Sequence, residues 1–391
     1  MKKILLMLLC LPFLSMAQQK TFVPDDGFEA QIELLGYGDG IVNNDSVLTS
    51  AIDTILSFTV GNSLGVYSLK GIEDFTALEH LVCDAISGLS IHLDNPNLLT
   101  FSMNQAQTID SVVLNCPLLT AYSGHLSEIN YINIDGCPNL ESIDLSSGVD
   151  ITNINLQNNP LLEDVNFEHS KIPSLDFSNL TNLRIINCLD VSNLASIDIT
   201  GCSALESIDV RECNLTALDV STNANLSHVD CSQNFIQHLD FSNNLNLSTL
   251  LCDDNPNLSS LNLNNINLND LLSFDAIFTP NLTCIEVNDT ALANYLWLGS
   301  GNTDPQHYFS LNCGLMFKCI GNACVEDAEG TYATLVECQA VCGTTAVEEE
   351  QNNKKLIKIV DLIGKESRHQ SNTPLFYHYD DGTVEKKIIV E

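Results

Sequence analysis

Residues 226–234 read LSHVDCSQN, a string in which Leu226, Val229 and Cys231 are apolar and Asn234 closes the run. Alternating apolar and polar residues are typical of a strand with one buried face. An asparagine just after such a strand can satisfy backbone groups where the chain turns. The string therefore predicts a short strand followed by a turn, and the same pattern recurs along most of the chain.

An apolar-x-apolar triplet returns every ten or eleven residues. The triplets begin at Leu81, Ile91, Phe101, Val112, Tyr122, Ile132, Ile143, Ile154, Val165, Leu175, Ile186, Ile197, Ile208, Leu218, Val229, Leu239, Leu250 and Leu261. Alternate triplets differ in composition, so the repeat unit is about 21 residues long with a shorter period nested inside it. The first set begins at Leu81 and ends with the triplet at Leu250, and the second set falls between its members.

The string L-x-x-L-x-L-x-x-N/C is the core of a leucine-rich repeat. Over residues 66–287 the chain resembles bacterial leucine-rich repeats with nested periodicity, whose second half reads L-D-L, as in Leu218-Asp219-Val220. The resemblance implies a β-rich solenoid of nine or ten coils, stacked at roughly 4.8 Å, with β-structure on both flanks. A parallel β-helix is the competing architecture.

Both ends of a solenoid expose apolar core and need a cap. Residues 18–65 predict an N-terminal cap, with a helix that carries Phe28, Ile32 and Leu35 on one face and stops at Gly36. Residues 288–315 predict a C-terminal cap. Within them the segment from Trp297 to Cys313, with Tyr308-Phe309-Ser310-Leu311-Asn312-Cys313, resembles the C-terminal cap of exported Bacteroidota leucine-rich-repeat proteins. That resemblance implies a disulfide between Cys284 and Cys313 that staples the cap.

The 391 residues include 50 Asp plus Glu and only 15 Lys plus Arg, a net charge of -35. Nucleic-acid recognition depends on Lys and Arg, so this balance excludes a nucleic-acid partner. The composition is 45% apolar with a mean hydropathy of +0.09, which predicts a sizeable core and not an acidic disordered chain. Residues 66–287 contain 28 acids and four bases.

Residues 1–17 have two lysines, an apolar run and Ser15-Met16-Ala17, the zones of a cleaved secretory signal. The apolar run is about half the length of a membrane span, and no later run reaches 18 residues. A lipoprotein site at Cys10 is the alternative, although Leu8 and Leu9 replace the small residues expected before it. We therefore expect an exported product, secreted or on the cell surface, with no membrane span.

The cysteines of the repeats and those of the segment after them have different predicted roles. Eight cysteines in the repeats occupy positions with a packing role, which favours buried, unpaired thiols over disulfides or metal binding. Residues 316–343 form a short module too small for a core of its own. Its cysteines, Cys319, Cys324, Cys338 and Cys342, favour two disulfides in an exported chain, with three possible pairings and with zinc binding as the alternative.

After a polar linker at 344–353, residues 354–391 predict a small β-module. From residue 351 onward the chain contains seven bases and six acids, unlike the acidic solenoid. Leu356 to Val360 predicts a strand, and the stretches around Asp381-Gly382 predict a hairpin. The segment resembles the C-terminal sorting domain of type IX secretion cargo, without the usual upstream Pro-Asn-Pro strand. A small β-domain of unknown purpose is the alternative.

The sequence contains no G-x-S-x-G, H-E-x-x-H, P-loop or dinucleotide motif, and its histidines show no metal-ligand spacing. We therefore expect no catalytic residues, no cofactor and no metal centre. A hydrolase or lyase of the β-helix type is the enzymatic alternative, but those enzymes act on anionic sugars and need a cationic surface.

The middle residue of each triplet should point outward. On the L-D-L flank Asp176, Asp198, Asp219 and Asp240 would then stack on consecutive coils, each pair repelling by about 0.9 kcal/mol in water. One hypothesis is that these four carboxylates bind a basic partner or Ca²⁺. The other is that they are solvated positions that keep the outer face polar.

These features predict an exported, non-enzymatic leucine-rich-repeat protein that binds or adheres to a protein or glycan outside the cell. The second possibility is a passive surface or matrix component, with the Cys-rich module as the contact. The tail adds the type IX secretion machinery as an expected partner. Repeat frameworks specify the scaffold, so the sequence does not identify the ligand.

Overall fold

The computed structural model describes residues 19–61, 65–88, 90–147 and 150–313, together with five strands between 317 and 388. The chain divides into two compact units, one up to Cys313 and one from Gly314 onward. Helices α1 (Asp26–Leu34), α2 (Thr49–Ile52) and α3 (Thr290–Trp297) belong to the first unit.

The strands of the first unit are short. They are β1 (Lys20–Phe22), β2 (Ser46–Leu48), β3 (Ser57–Thr59), β4 (His80–Val82), β5 (Ser90–Leu93), β6 (Thr100–Ser102), β7 (Ser111–Leu114), β8 (Ala121–Ser123), β9 (Ile132–Asn133), β10 (Ser142–Asp144), β11 (Asp164–Asn166), β12 (Ser174–Asp176), β13 (Ile185–Asn187), β14 (Ser196–Asp198), β15 (Ser207–Asp209), β16 (His228–Asp230), β17 (His238–Asp240), β18 (Thr249–Leu251), β19 (Ser260–Leu263), β20 (Ser273–Asp275), β21 (Cys284–Val287) and β22 (Tyr308–Ser310).

One parallel sheet of 11 strands runs along the unit, in the order β3-β4-β6-β8-β10-β11-β13-β15-β16-β18-β20. The predicted β-rich repeat solenoid is therefore confirmed. The sheet has two more strands than the nine triplets of the first set. Phe58 of β3 pairs with Leu81 and Phe274 of β20 pairs with Leu250. Those steps are longer than 21 residues, so the period did not reveal them.

The opposite flank is interrupted. Its strands form three separate parallel sheets, β5-β7-β9, β12-β14 and β17-β19-β21-β22. The predicted units at Ile154 and Leu218 reach the flank without forming strands. β-structure is present on both flanks as expected, but only the 11-stranded sheet is continuous.

The turns that follow the ten strands from β4 to β20 of the long sheet each contain a left-handed residue. These are Ala85, Gln105, Leu126, Ser147, His169, Asp190, Glu212, Gln233, Asp254 and Phe278, with φ from +51° to +60°. Such a conformation is unfavourable for residues other than glycine. The first nine donate their backbone N–H to a carbonyl of the following coil, which supports the strained turn; Leu126 N to Ser146 O at 2.8 Å is typical.

A second column of buried polar residues joins most coils to the preceding one and is interrupted at Leu180. Asn244 donates its Nδ2 to Val220 O and Asn223 O, at 3.1 and 2.7 Å, and Asn223 in turn donates to Ile199 O and Cys202 O. Where the column carries cysteine the thiol does the same, as in Cys202 Sγ to Phe177 O at 3.1 Å. Asparagine and cysteine are therefore interchangeable here because each places a donor under a buried carbonyl.

The eight repeat cysteines are all buried and unpaired, as predicted. They are Cys83, Cys116, Cys137, Cys188, Cys202, Cys213, Cys231 and Cys252. Burial raises the pKa of the Cys116 and Cys213 thiols to about 12 and that of Cys202 to about 11. A thiol that stays protonated is a poor nucleophile, so these side chains are structural.

The N-terminal cap is helical, as predicted. Asp25 caps α1 by accepting the backbone N–H of Phe28 at 2.8 Å, and the Phe28 ring packs 6.0 Å from Phe58 and 6.3 Å from Phe75. The prediction for Leu35 was wrong, because α1 ends at Leu34 and Leu35 is 51% exposed.

The C-terminal cap replaces the next coil. Its only tryptophan, Trp297 of α3, packs 4.4 Å from Phe274 and 5.7 Å from Phe309. Asp304 accepts the backbone N–H groups of Phe278 and Thr279, at 3.0 and 2.8 Å, which is the bonding that a further coil would supply.

The predicted Cys284–Cys313 disulfide is present and closes a 29-residue separation around the cap. In the chain-entropy model a loop of this size stabilises the folded state by about 3–4 kcal/mol. The cap is thus held by packing, by hydrogen bonds and by one covalent link.

The second unit contains two small antiparallel sheets. β23 (Phe317–Ile320) pairs with β24 (Ala323–Glu326), which sets Cys319 opposite Cys324 in register. β25 (Leu356–Val360), β26 (Pro374–Tyr379) and β27 (Val384–Ile388) form the strand and hairpin predicted for the tail. The signal at 1–17, the linker at 344–353 and residues Cys338 and Cys342 lie outside the described residues, and the pairing of all four module cysteines stays a prediction.

Within the part of the chain that the structure describes, no helix has the length and apolar character that a membrane span requires.

Replacing Asn244 with alanine should lower the free energy of unfolding by about 1–3 kcal/mol, because two buried carbonyls lose a donor. Asn246→Ala is the matched control: Asn246 is exposed and makes one long bond of 3.4 Å, so it should change stability by less than about 0.5 kcal/mol. Asn244→Cys should recover part of the loss. Urea unfolding followed by circular dichroism measures all three, and equal effects of the two alanine variants would contradict the proposed role of the column.

Candidate functional site

The four aspartates predicted as a binding ladder are all exposed, but each already has a structural contact. The Oδ1 atoms of Asp176, Asp198, Asp219 and Asp240 each accept the backbone N–H two residues later, all at 2.9 Å. This is an Asx turn, in which the side chain ends the strand. At Asp219 the side-chain and backbone hydrogen bonds from Ser221 hold the pKa of the carboxyl below its usual value.

The ladder is not evenly stacked. Asp176 lies beside Asp198 in the β12–β14 register, and Asp240 lies beside Asn262 in β17–β19. Asp219 lies outside any strand, between those two sheets. The structure therefore brings Asp176 and Asp198 together as strand neighbours and separates that pair from Asp240.

The same Asx turn occurs on the long sheet, where the acceptor is either aspartate or asparagine. Asp144 accepts from Ser146 N at 3.0 Å, Asn166 from Glu168 N at 3.1 Å and Asn187 from Leu189 N at 3.2 Å. The turn needs only one oxygen, which leaves the second oxygen of Asp144 outside the turn, whereas Asp209 and Asp230 use theirs in ion pairs with Arg211.

The exposed face of the long sheet carries a groove of about 530 Å³. Each strand contributes two outward side chains that flank one inward residue, and the groove runs across the strands between the two columns so formed. Its walls and floor are Thr100, Phe101, Ser102, Ala121, Tyr122, Ser123, Ser142, Ile143, Asp144, Asp164, Val165, Asn166, Ile185 and Asn187. We refer to this feature as the sheet-face groove.

Small outward side chains keep the sheet-face groove open. The outward residues of β6, β8 and β10 are Thr, Ala, Ser or Asp, so no long side chain folds over the floor. At one end His80 Nδ1 and Thr100 Oγ1 are 2.8 Å apart, and at the other end Ile185 is 41% exposed. Sequence reasoning missed this site because a run of small residues at one repeat position has no motif of its own.

The rim of the groove is negatively charged. Within the described residues, no hydrogen bond or ion pair engages the carboxylates of Glu141, Glu163 and Asp164. The neighbouring cation, Arg184, is neutralised: its Nε and Nη2 donate to the two oxygens of Glu206 at 3.2 and 3.0 Å. Residues 95–205 contain only one other base, Lys171, which pairs with Asp150.

A second group of acids lies further along the same face. Arg211 Nη2 is 3.1 Å from Asp209 Oδ2, and its Nη1 is 3.7 Å from Asp230 Oδ2, where Asp230 is almost fully buried. Beyond this pair lie Asp253, two residues after the end of β18, and Asp275, the last residue of β20. Desolvation by burial, together with the charges of Asp275 and Asp230, raises the pKa of Asp253 to about 6.

A smaller cleft of about 370 Å³ is lined by Ser68, Leu69, Lys70, Glu73, Ser90, His92 and Asp94. His92 Nε2 lies 2.9 Å from Asp94 Oδ2, so a histidine–carboxylate pair is present beside Ser90. A nucleophilic serine must hydrogen-bond to the base, and in the described structure no such bond joins Ser90 to His92. The cleft does not assemble an acyl-transfer site.

One cluster of possible metal ligands occurs among the described residues, formed by Asp26, Glu29 and Asp45 in the N-terminal cap. Glu29 is fully buried, and its two oxygens accept the N–H groups of Asn44 and Asp45 at 3.1 and 3.0 Å. These bonds compensate the buried charge and order the loop after α1.

No protein-family model and no curated protein matches the sequence. Among solved structures, the leucine-rich-repeat domain of APL1B is 17% identical, covers 62% of this chain and 75% of its own, and has a TM-score of 0.46. The internalin InlF of Listeria monocytogenes is 16% identical, with coverages of 75% and 98% and a TM-score of 0.35. YopM of Yersinia pestis, described as a leucine-rich effector protein, is 19% identical, with coverages of 64% and 83% and a TM-score of 0.30.

The raised pKa of Asp253 predicts a pH-dependent stability. The carboxyl titrates near 3.8 when unfolded and near 6 when folded, so the folded state holds the proton more tightly. Stability should fall as pH rises through that interval. Asp253→Asn should therefore raise the free energy of unfolding at pH 7 by about 1–2 kcal/mol, a range that already includes a reduction because the side chain is partly exposed. At pH 3 the substitution should leave the free energy of unfolding unchanged.

Urea unfolding of the two proteins at pH 3 and pH 7 measures the difference. Asp240→Asn is the control, because that carboxylate is exposed and the variant keeps its turn acceptor. If the Asp253→Asn protein is no more stable than wild type at pH 7, the folded state does not disfavour the charged form of Asp253.

Proposed function

We propose that this chain is an exported, non-enzymatic scaffold that binds a protein or glycan partner outside the cell on the exposed face of its long parallel sheet. The observation that carries the proposal is the sheet-face groove, an open channel across five strands with small side chains along it. A rigid sheet fixes the spacing of every outward side chain, which preorganises a recognition surface.

The groove favours binding over catalysis. Its lining combines apolar floor residues with hydroxyls, carboxamides and carboxylates, a mixture typical of recognition surfaces. Catalysis would require a base in hydrogen-bond contact with a nucleophile, or ligands converging on a metal. The groove's own lining residues contain no histidine, cysteine or lysine.

The ladder of Asp176, Asp198, Asp219 and Asp240 is the second candidate surface. It is supported by exposure and by the free second oxygen of each carboxylate, which a basic partner or Ca²⁺ could engage. The Asx turns weaken the case for the ladder as a binding surface, because the turns alone explain why these positions carry aspartate. A passive surface or matrix role, with residues 316–343 as the contact, is a third possibility.

A partner screen distinguishes these surfaces. The purified mature chain is applied to glycan and extracellular-protein arrays, and each hit is tested again with two variants. One variant carries Ala121→Trp, which fills the sheet-face groove, and the other converts the four ladder aspartates to asparagine. Loss of binding with Ala121→Trp alone is the expected result. Binding that only the ladder variant removes would move the site to the opposite flank, and the absence of any hit would favour the passive role.

We also propose that residues 354–391 direct export by the type IX secretion machinery of a Bacteroidota-type bacterium, as the sequence resemblance implies. The three-stranded antiparallel sheet β25-β26-β27 supports a folded terminal module in this segment. The proposal includes a cleaved signal at 1–17, which would deliver the chain to the periplasm first.

Deleting residues 347–391 tests the sorting proposal. The truncated chain should accumulate in the periplasm, because the machinery would no longer recognise it. Cell fractionation with immunoblotting measures the location, and a protein with alanines in place of Glu348, Glu349 and Glu350 of the linker is the control. Normal delivery of the truncated chain to the surface or medium would refute the assignment.

A further inference from the structure

We propose that the sheet-face groove holds an extended polypeptide segment that carries lysine or arginine. The inference deepens the proposed function and rests on it, since it names the class of partner for the same surface. It is carried by the shape of the groove, by the lack of accessible rings in it and by the charges along its rim.

The groove has the length of a short extended peptide. It crosses β6, β8, β10, β11 and β13, which are neighbours in that order. Four strand spacings of about 4.8 Å amount to about 19 Å, the length of about six residues in extended conformation. A helix, at 10–12 Å in diameter, would need a wider channel than the space between two columns of side chains on one sheet.

The lining suits a main chain of any sequence. The Ser142 hydroxyl and the Asn166 carboxamide nitrogen stand in the two walls. The Ser123 hydroxyl also lies there but donates to Asn104 Oδ1 at 2.7 Å, so it is left as an acceptor. Such groups can bond to the N–H and C=O groups of a bound segment, and the side chains of the segment that point inward lie between the two walls, above the closely packed floor. The groove can therefore hold backbone and side chains at the same time.

A glycan fits less well. Sugar rings are commonly bound against the open face of an aromatic side chain. The two rings under the groove, Phe101 and Tyr122, stack on each other at 5.3 Å and are 1% and 2% exposed. Neither ring offers a face to a ligand.

The charges select the partner. Asp164 lies in one wall and Asp144 in the other, on adjacent strands, so a bound segment has a carboxylate on each side. Glu141 and Glu163 add negative charge where their strands begin, and Arg184 is occupied by Glu206. A basic segment is attracted by the carboxylates of both walls, whereas an acidic segment or a nucleic acid is repelled by them.

The experiment uses fluorescence anisotropy with the full mature chain and a labelled eight-residue peptide of alternating lysine and serine. A peptide of alternating glutamate and serine is the matched probe. The lysine peptide should bind and the glutamate peptide should not. Affinity for the lysine peptide should fall steeply with salt, since exposed charges are screened within about 8 Å at 0.15 M.

Two variants locate the binding. The double variant Asp144→Asn and Asp164→Asn should weaken binding by about tenfold at low salt, from two charge contacts of about 0.7 kcal/mol each. Ala121→Trp adds bulk without changing charge and should weaken binding at least as much. The matched control, Asp176→Asn with Asp198→Asn, removes the same two charges from the opposite flank and should leave binding unchanged. Thermal melts check that each variant is folded.

Three outcomes would overturn the inference. They are equal binding of both peptides, equal effects of the groove and control double variants, or an unchanged affinity in Ala121→Trp. If an array partner binds the wild-type chain but not the Ala121→Trp variant, while the lysine peptide binds neither protein, the groove is a binding site for another class of ligand. In that case the proposed function stands and the basic polypeptide is rejected.

Discussion

The hydrogen bond from one coil to the next is the constraint on which this structure depends. Coils of about 21 residues have no regular secondary structure long enough to satisfy their own backbone, so each passes its unpaired groups to its neighbours. Left-handed turn residues donate forward, as Leu126 does to Ser146, and the Asn/Cys column donates backward, as Asn244 does to Val220. A single coil would leave these groups buried and unpaired, at a cost that its small apolar core could not offset.

The caps follow from the same constraint. At the C-terminal end Asp304 accepts the two backbone N–H groups that a further coil would have taken, and Trp297 covers the apolar end of the core. At the N-terminal end α1 lays Phe28 against Phe58 and Phe75. Each cap thus closes both an apolar surface and a set of unpaired polar groups, and the disulfide from Cys284 to Cys313 holds one of them in place.

Most of the fold was predictable because the pattern repeats. One triplet is weak information, but eighteen in phase identify a solenoid, and the buried thiols at positions where neighbouring units carry leucine or phenylalanine follow from it. The prediction failed where the period lengthens: Phe58 and Phe274 lie more than 21 residues from their neighbours in the sheet, so their strands were missed. Leu35 was misplaced because a periodic face does not reveal the last helical residue.

The candidate binding surfaces were harder to predict from the sequence than the fold, for a physical reason. The ladder from Asp176 to Asp240 stands out in the sequence because its residues are charged and periodic, yet each has a local role in a turn. The sheet-face groove exists because the side chains at Thr100, Ala121 and Ser142 are small. Small residues attract no notice until the register shows that they lie side by side.

The Asx turns make the surface charge of this chain independent of its backbone structure. Only Oδ1 takes part in the turn, and asparagine presents that atom as well as aspartate does, so Asn166 and Asp144 do the same structural work. Surface charge can therefore change by one unit at an exposed Asx turn while the backbone stays as it is. A scaffold built on such turns can carry a strongly acidic or a nearly neutral surface on the same backbone.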